Sequence, residues 1–203
     1  MSGMGRAFYK HYGLRFPDGV YEPLDDSFLL ADQVKVEAGS TVLDLGCGAG
    51  LVSLIAAHQG ANVTAADINK KALQAATENC RAYGHQIETV ETDMFSNISG
   101  KYDYVFFNPP YLPHEDMDDQ LAKKHPELAK SWDGGAHGRR YIDTFLTQYK
   151  GHLNPGGKAY LLNSSLNDIT KTQEKLDKQG VKYAIVARTE LFFEKLYVFE
   201  ITG

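Results

Sequence analysis

The feature that most constrains this chain is a glycine-rich turn between a strand-like segment and a helical one. Residues 41–45 form a short apolar run typical of a buried strand, and the turn Gly46-x-Gly48-x-Gly50 follows directly. A helical spacing of apolar residues then begins at Leu51. Glycines permit a tight turn and a close approach of the backbone to a ligand, and a helix N-terminus favours electron-rich groups. The segment therefore predicts a strand–turn–helix unit with a ligand site at the turn.

Strand-like and helical segments alternate along the chain after Gly39. Strands are predicted at 41–45, 62–66, 87–90, 102–107, 158–162, 181–187 and 195–201, and helices at 51–58, 69–83, 142–153 and 167–179. Asn69 is a predicted helix N-cap, and residues 154–157 (Asn-Pro-Gly-Gly) predict a turn. Such alternation indicates parallel strands joined by right-handed crossovers, with one antiparallel strand near the C-terminus. We therefore predict an α/β fold with an open, doubly wound, mostly parallel sheet of about seven strands.

Composition fits one ordinary globular domain. The chain has 203 residues, a formal net charge of −5 and 43% hydrophobic residues. Its two cysteines form no Cys-x-x-Cys pair and have no histidine in ligand spacing, which favours a reducing compartment and no metal site. No apolar run reaches the length of a membrane span and no signal peptide is evident, so we expect a cytoplasmic protein. Mild acidity disfavours a dedicated nucleic-acid-binding protein, although a local basic patch could still exist.

Acidic side chains lie at the ends of three predicted strands, where ligands bind in open α/β sheets. Asp44 stands just before the glycine turn and suits an amino group better than a pyrophosphate. Asp67 ends the second strand and suits the two hydroxyls of a ribose, while Asp93 and Met94 after the third suit the amino group and ring face of adenine. The dinucleotide pattern is absent, because Leu51 occupies its third glycine position. A purely structural turn with helix-capping acids is the alternative.

A second motif, Asn108-Pro109-Pro110-Tyr111, follows the fourth strand directly. The Asn108 side-chain carbonyl and the Pro109 backbone carbonyl could accept hydrogen bonds from a planar nitrogen and turn its delocalised lone pair toward a methyl donor. The prolines stiffen the backbone, and Tyr111 can stack on a flat amide or base. The tetrad therefore predicts chemistry on a planar nitrogen, without specifying which one.

These motifs resemble the S-adenosylmethionine site of class I methyltransferases, and the tetrad resembles that of enzymes that methylate glutamine amides, adenine N6 or guanine N2. Residues 21–30 and 131–140 are also similar to the eukaryotic and archaeal branch of HemK-like release factor glutamine methyltransferases. The resemblance covers nearly the whole chain from Gly19. It implies a Rossmann-like fold, S-adenosylmethionine as cofactor, and N5-methylation of the glutamine in the Gly-Gly-Gln motif of a translation release factor.

The resemblance also implies the residues of the site. The catalytic residues are the tetrad, Asn108, Pro109, Pro110 and Tyr111. The cofactor-binding residues are Tyr21, Ser27, Asp44, Gly46, Cys47, Gly48, Asp67, Ile68, Asp93, Met94 and Asn108. Cys47 is interpreted as a small turn residue rather than a nucleophile, because no base stands nearby to activate it. Ser27 keeps the hydroxyl of the family's frequent Thr, whereas Asp133 stands where a small residue is expected.

We expect a single methyltransferase domain over residues 1–203. Residues 1–38 would cover cofactor and substrate, 39–203 would form the catalytic sheet, and 112–137 would be a substrate-facing loop. That loop contains six acids and three lysines, which suits a basic protein loop better than a phosphate backbone. A solvated acidic loop without substrate contact is the alternative, and Trp132 could be either a substrate platform or a core aromatic.

The resemblance predicts one further partner, a small zinc-binding activator protein that forms a heterodimer with the methyltransferase. The alternative function is an RNA or DNA base N-methyltransferase, for which Arg6, Lys10, Arg15 and the pair Arg139-Arg140 could supply a small RNA-binding stripe. We expect no extra domain that would flip a base out of a duplex. A non-catalytic binder that kept the fold is a third hypothesis.

Overall fold

The computed structural model describes residues 4–113, 128 and 131–203. The helices are α1 (Met4–Tyr12), α2 (Asp25–Ala31), α3 (Leu51–His58), α4 (Lys70–Ala82), α5 (Arg140–Gln148) and α6 (Ile169–Lys178). The strands are β1 (Thr41–Leu45), β2 (Asn62–Asp67), β3 (Glu88–Glu91), β4 (Tyr102–Phe107), β5 (Leu153–Ser164), β6 (Lys182–Glu190) and β7 (Lys195–Thr202). Short 3-10 turns follow α5 and β5, at Tyr149–His152 and Ser165–Asn167.

The strands form one seven-stranded sheet in the order β3-β2-β1-β4-β5-β7-β6. All neighbours are parallel except those of β7, which runs antiparallel to both β5 and β6. This confirms the predicted α/β class and its single antiparallel strand. Because β1 lies between β2 and β4, the winding reverses there, and a crevice opens beyond the carboxyl ends of β1 and β4.

Alternating side chains of the central strands pack into two hydrophobic cores, one on each face of the sheet. Val42 and Phe106 pack with α2 and α3, whereas Leu43 and Phe107 pack with α5. The Phe107 ring stacks on Phe145 with centroids 5.2 Å apart. Full burial of each such side chain contributes about 1.5–3 kcal/mol. The two cores hold β1 and β4 rigidly, and these two strands position the glycine turn and the tetrad.

Helix α4 packs closely against the glycine turn. Its N-cap is Asn69, as predicted, and the Asn69 side chain accepts a hydrogen bond from the Lys71 backbone N–H at 3.0 Å. The buried face of the helix includes the small residues Ala72, Ala75, Ala76 and Cys80. A Cβ at Gly50 would lie 2.7 Å from the Cβ of Ala76, so only glycine fits there. The third glycine of the turn therefore serves helix packing.

Three features differ from the sequence prediction. The Asn154–Gly157 segment, predicted as a turn, lies within β5 as an irregularity. Tyr102 pairs with Leu153 and Tyr104 pairs with Lys158, so one residue of β4 stands opposite four of β5. The helix predicted from residue 167 begins at Ile169, after an N-cap at Asp168 with φ of +53°. Helices α1 and α2 were not predicted, since both are short and gain their stability by packing on α3.

Neither a membrane-spanning helix nor a metal-ligand cluster is found in the parts of the chain that the structure describes. None of those helices is long and apolar enough to cross a bilayer. No group of three or more histidine, cysteine or acidic side chains is placed there to hold a metal ion. Cys47 and Cys80 are free and buried. Burial raises the pKa of both thiols, to about 12 for Cys80, so both remain protonated at neutral pH.

Arg139 is buried and ties α5 to α6, which contradicts its assignment to an RNA-binding stripe. Its guanidinium donates to the carbonyls of Asn167 and Asp168, to the Thr172 hydroxyl, and to the Asp143 carboxylate at 2.8 Å. Arg139 is only 6% exposed, so its guanidinium cannot reach a phosphate on the surface. The Arg139-Arg140 pair therefore supplies only one exposed cation, and Arg6 of the same stripe is paired with Asp25.

We predict different effects on stability for substitutions of the two adjacent arginines. Arg139→Met should lower the free energy of unfolding by about 2–4 kcal/mol, because buried carbonyl oxygens lose their donor. Arg140→Met, at an exposed position, should change it by less than about 0.5 kcal/mol. Urea unfolding of both variants measures the difference. Equal effects would show that the buried network does not stabilise the fold.

Candidate active site

A cavity of about 630 Å³ lies beyond the carboxyl ends of β1, β2 and β4. Every residue predicted from the sequence lines it: Tyr21, Ser27, Asp44, Gly46, Cys47, Gly48, Asp67, Ile68, Asp93, Met94, Asn108, Pro109, Pro110 and Tyr111. These residues come from six separate segments of the chain. The fold thus brings the two motifs to one site, at the reversal of the sheet order.

The glycine turn gives the cavity a backbone wall. Gly46, Gly48 and Gly50 all have positive φ, at +66°, +52° and +83°, a region that L side chains rarely adopt. A Cβ built on Gly48 would meet nothing within 4 Å, so the turn leaves open space there. This wall can therefore approach a ligand closely.

Asp67 fastens the glycine turn to the end of β2. One carboxylate oxygen accepts from the Gly48 N–H at 3.0 Å, and the other accepts from the Asn69 N–H at 2.8 Å. Burial raises the pKa of this carboxyl, while the backbone N–H groups oppose the rise. A carboxylate can accept further bonds on its remaining lone pairs, so Asp67 can still bind a pair of hydroxyls.

Asp44 is buried at the end of β1, beside the start of α3. One carboxylate oxygen accepts from the backbone N–H of Ser53 at 3.0 Å and from its hydroxyl at 2.6 Å. Burial nevertheless raises the pKa of Asp44 to about 7, and the charge of Asp67 adds to the rise. The carboxyl therefore titrates near neutrality and gains from a cationic ligand that would hold it ionised.

Asp44 should make stability depend on pH. The folded chain binds this proton more tightly than the unfolded chain, whose pKa is near 3.8, so the free energy of unfolding should fall as pH rises from about 4 to about 7. The full effect is on the order of 4 kcal/mol. Asp44→Asn keeps an acceptor for Ser53 and removes the titration. We expect it to be more stable than wild type at pH 8 and equal at pH 4 in urea unfolding; an equal gap at both pH values would contradict this.

The third strand contributes a more open wall. Asp93 is exposed and Met94 is half-buried. The backbone of Met94 has a φ of +52°, which is unusual for a residue other than glycine. Ile68, directly after Asp67, is also exposed at the cavity. Two apolar side chains and a carboxylate that line the same cavity suit a flat ring that carries a donor group.

Asn108 is held by a residue that the predicted site did not include. Its side-chain nitrogen donates to Asp26 Oδ2 at 3.0 Å, and Asp26, buried at the start of α2, also accepts from the Tyr21 hydroxyl and the Ser27 N–H. A carboxylate only accepts hydrogen bonds, so this contact fixes which end of the amide is the nitrogen. The other end, Asn108 Oδ1, is buried and has no hydrogen-bond partner among the described residues. The cavity wall thus presents an acceptor that a ligand donor would satisfy.

Tyr111 is fixed from both ends of the residue. Its backbone carbonyl accepts from Asn167 Nδ2 at 2.6 Å, and its hydroxyl is hydrogen-bonded to Glu194. Burial raises the pKa of the phenol, and the charges of Asp26 and Glu194 raise it further, so the ring stays neutral. A Cβ on Gly138 would come within 2.1 Å of the Tyr111 carbonyl, which explains the glycine there.

The segment around Trp132 returns to the tetrad. Leu112 N–H donates to the Trp132 carbonyl, and Gly134 N–H donates to the Leu112 carbonyl, both at 2.9 Å. Trp132 lines the cavity and is half-buried, so it is a wall residue rather than part of the core. Asp133, where a small residue was expected, accepts from the Gly135 N–H at 2.8 Å and shapes the turn. The other five acids of the 112–137 loop, Glu115, Asp116, Asp118, Asp119 and Glu127, lie outside the described residues.

The charged side chains that line the cavity in the described chain are all acidic. Five carboxylates line it, and no lysine, arginine or histidine does within the described part of the chain; the five are Asp26, Asp44, Asp67, Asp93 and Glu194. Such a lining favours a cationic ligand and disfavours a polyanion. Carboxylates can accept hydrogen bonds from the ammonium, ribose and adenine groups of S-adenosylmethionine, and their negative charge suits its sulfonium.

A doubly wound sheet with a glycine turn and strand-end acids at its reversal point is the arrangement of α/β enzymes that bind a nucleoside-bearing ligand. Residues 21–131 match the methyltransferase small domain family. A candidate protein N5-glutamine methyltransferase of Methanocaldococcus jannaschii is 37% identical over 91% of this chain and 92% of its own length. Methyltransferase HEMK2 of Homo sapiens is 28% identical over 96% of this chain and 95% of its own length.

A solved structure agrees with these relatives. A chain of the Mtq2–Trm112 complex of E. cuniculi, described as responsible for methylation of the termination factor eRF1, superposes with a TM-score of 0.71 and 26% identity. The match covers 91% of this chain and 99% of that one. The chain belongs to the methyltransferase small domain family and to its HemK-like branch, which confirms the resemblance. Ribosomal RNA small subunit methyltransferase C of Haemophilus influenzae is 30% identical over 81% of this chain, but over only 43% of its own length.

Proposed function

We propose that this protein transfers a methyl group from S-adenosylmethionine to N5 of a glutamine side chain, in the Gly-Gly-Gln motif of a translation release factor. The observation that carries the proposal is Asn108 Oδ1 at the end of β4, a buried acceptor with no hydrogen-bond partner in the described part of the chain. A primary amide is a planar nitrogen with two N–H donors, so one donor can satisfy this oxygen. The family relationship supports the choice of a glutamine amide over other planar nitrogens.

The cofactor would occupy the part of the cavity formed by β1, β2 and the segment after β3. Asp44 would face its ammonium group, Asp67 its ribose hydroxyls, and Asp93 with Met94 its adenine, while Gly46 and Gly48 allow close backbone approach. When bound, S-adenosylmethionine supplies an electrophilic methyl group on a sulfonium. Asp44→Asn should also weaken cofactor binding at pH 8, because the neutral amide no longer attracts the ammonium.

Asn108 and Pro109 would orient the substrate amide. Asp26 keeps the Asn108 nitrogen occupied, so its oxygen is available to the substrate N–H, and the Pro109 carbonyl would accept from the second N–H. Held at both N–H groups, the amide plane is fixed and its nitrogen can face the methyl group for in-line displacement. The Tyr111 ring, fixed by Glu194 and Asn167, would pack on the flat face of the amide.

The proposed methyl transfer needs no dedicated general base. A bond forms between the amide nitrogen and the methyl carbon, and the carbon–sulfur bond breaks with its electron pair remaining on sulfur. Positive charge passes from sulfur to the substrate nitrogen, which then loses its proton to water. The tetrad accordingly orients and stabilises, and no side chain in it has to take the proton.

The experiment is transfer of labelled methyl groups from S-adenosylmethionine to purified release factor and to cell extract. We expect labelling of the release factor, loss of labelling when its Gly-Gly-Gln glutamine is changed to alanine, and label in extract that protease removes and nuclease leaves. Equal labelling of the Gln→Ala factor would refute the substrate. Label confined to nuclease-sensitive material would favour RNA or DNA base methylation, and absence of any transfer would favour a non-catalytic binder.

We further propose the division of the chain into one methyltransferase domain over 1–203, with residues 1–38 and the 112–137 loop serving substrate and cofactor. The contact of Asp26 with Asn108 supports a role for the N-terminal segment in the site. A cytoplasmic location follows from a substrate in translation termination and belongs to the same proposal.

A small activator protein is the proposed partner, because the similar Mtq2 chain was solved in complex with Trm112. We propose that the activator binds zinc, as the family resemblance implies. Co-expression with such a protein should raise the yield and cofactor affinity of the methyltransferase. A fully active isolated chain whose activity does not change on addition of the activator would contradict this part of the proposal.

A further inference from the structure

The turn between β6 and β7 exposes two adjacent aromatic rings. The Leu191 N–H donates to the Glu194 carbonyl at 2.8 Å and closes the turn. Phe192 and Phe193 at its tip are 92% and 86% exposed, the highest values among large apolar side chains in the described chain. Their rings pack edge to face with centroids 4.6 Å apart. Two aromatic rings left in water beside each other indicate a surface that a partner covers.

This tip is fastened to the rim of the active-site cavity. Glu194, the residue after the phenylalanine pair, lines the cavity, accepts from the Ser164 hydroxyl at 2.5 Å, and holds the Tyr111 hydroxyl. The next residue, Lys195, donates its backbone N–H to the Ser165 hydroxyl at 3.0 Å. The pair therefore lies beyond the carboxyl end of β5, on the same edge of the sheet as the tetrad. A protein whose side chain enters the cavity would come close to this edge.

The chemistry of the tip favours protein over nucleic acid. Residues 188–195 carry two cations and two acids and are neutral in sum, and Lys195 is paired with Glu190 at 3.0 Å. All charged residues that line the neighbouring cavity in the described chain are acids. A phosphate backbone would gain no favourable charge from a neutral tip and would be repelled by the acidic cavity beside it. An apolar patch on a protein would instead gain by burying the two aromatic side chains.

We propose that Phe192 and Phe193 dock an apolar patch on the folded substrate protein, next to the loop that carries its reactive glutamine. This inference rests on the proposed function, since the occupant is the protein whose glutamine is methylated. Neither ring lines the cavity, so the pair contributes to substrate affinity and not to the methyl transfer itself. Its effect should appear in KM, with kcat retained.

The test is steady-state methylation of purified release factor by the full chain carrying Phe192→Ser and Phe193→Ser. Loss of two aromatic anchors that the complex would bury should raise KM for the factor about 10-fold or more, with kcat and the cofactor Kd unchanged. The matched control is Ile185→Thr with Val186→Thr, two half-exposed apolar residues further along β6, which should leave KM unchanged.

Each contrary outcome has a distinct meaning. An unchanged KM in the phenylalanine variant overturns the docking proposal alone. A phenylalanine variant that keeps its KM but loses self-association, measured by sedimentation, or loses activator binding also overturns the docking proposal, because the pair would then bind a second copy or the activator. An equal rise in KM for the control variant also overturns it. A wild-type enzyme that transfers no methyl group to the factor refutes the proposed function, and the docking proposal falls with it.

Discussion

Replacing Asn108 with alanine is expected to lower kcat for methyl transfer by about 10³-fold while the cofactor Kd changes by less than about threefold. The reason is that the side-chain oxygen, which no described residue satisfies, is the acceptor proposed to hold the substrate amide, and alanine offers no acceptor. The family resemblance also counts Asn108 among the cofactor-binding residues, but the acids proposed to hold the cofactor belong to other segments of the cavity wall, so cofactor binding should survive. Single-turnover transfer to release factor and calorimetric cofactor titration measure the two quantities.

A matched control exists at the opposite edge of the sheet. Asn154 donates to the Asp103 carboxylate at 2.8 Å, much as Asn108 donates to Asp26 at 3.0 Å. Asn154→Ala therefore removes a comparable hydrogen bond far from the cavity, and we expect it to keep wild-type kcat. If Asn108→Ala retained more than a tenth of wild-type kcat, the amide oxygen would not be the group that orients the substrate.

Asp26→Asn is expected to lower kcat by about 10²-fold through the orientation of Asn108. One oxygen of Asp26 accepts from the backbone N–H of Ser27, a donor that cannot move, so the new amide would keep its oxygen there. Its NH₂ group would then face Asn108, which would turn its own oxygen toward it. The acceptor proposed for the substrate would be occupied, although every residue of the tetrad remains.

The control is the adjacent residue Asp25, which is exposed and paired with Arg6. Asp25→Asn carries the same charge change and should leave kcat unchanged. Thermal unfolding of both variants separates a loss of orientation from a loss of fold. Asp26→Asn with wild-type kcat, or a fall in kcat matched by Asp25→Asn, would show that Asp26 does not position Asn108.

Most of the sheet could be predicted because its signals are local. The buried strands 41–45 and 102–107 have apolar runs that end in a turn motif, and Asn69 caps its helix through a contact two residues away. The irregular start of β5 could not be predicted, because a Pro-Gly-Gly sequence is typical of turns, whereas here Leu153 and Lys158 on either side of it both pair with β4. The short helices α1 and α2 likewise depend on tertiary packing.

The site residues that belong to sequence motifs were predicted, whereas the residues that support them were not. The two motifs at 44–50 and 108–111 each carry chemistry that can be inferred from spacing, and the structure brings both to one cavity. Asp26 and Glu194 act through contacts with residues far away in sequence, Asn108 and Tyr111. Asp26 stands in the segment that resembled the family, so the motif itself could have indicated it. No local signal distinguishes Glu194 from an ordinary surface acid.

The most direct test of the account is the chemical identity of the methylated group. Release factor labelled by the enzyme and hydrolysed in strong acid should release the label as methylamine, because an N-methyl amide is cleaved to the acid and the amine. Label that instead remains on a methylated lysine or arginine, or on a methylated base after nuclease digestion, would contradict the proposal that Asn108 presents its oxygen to a glutamine amide.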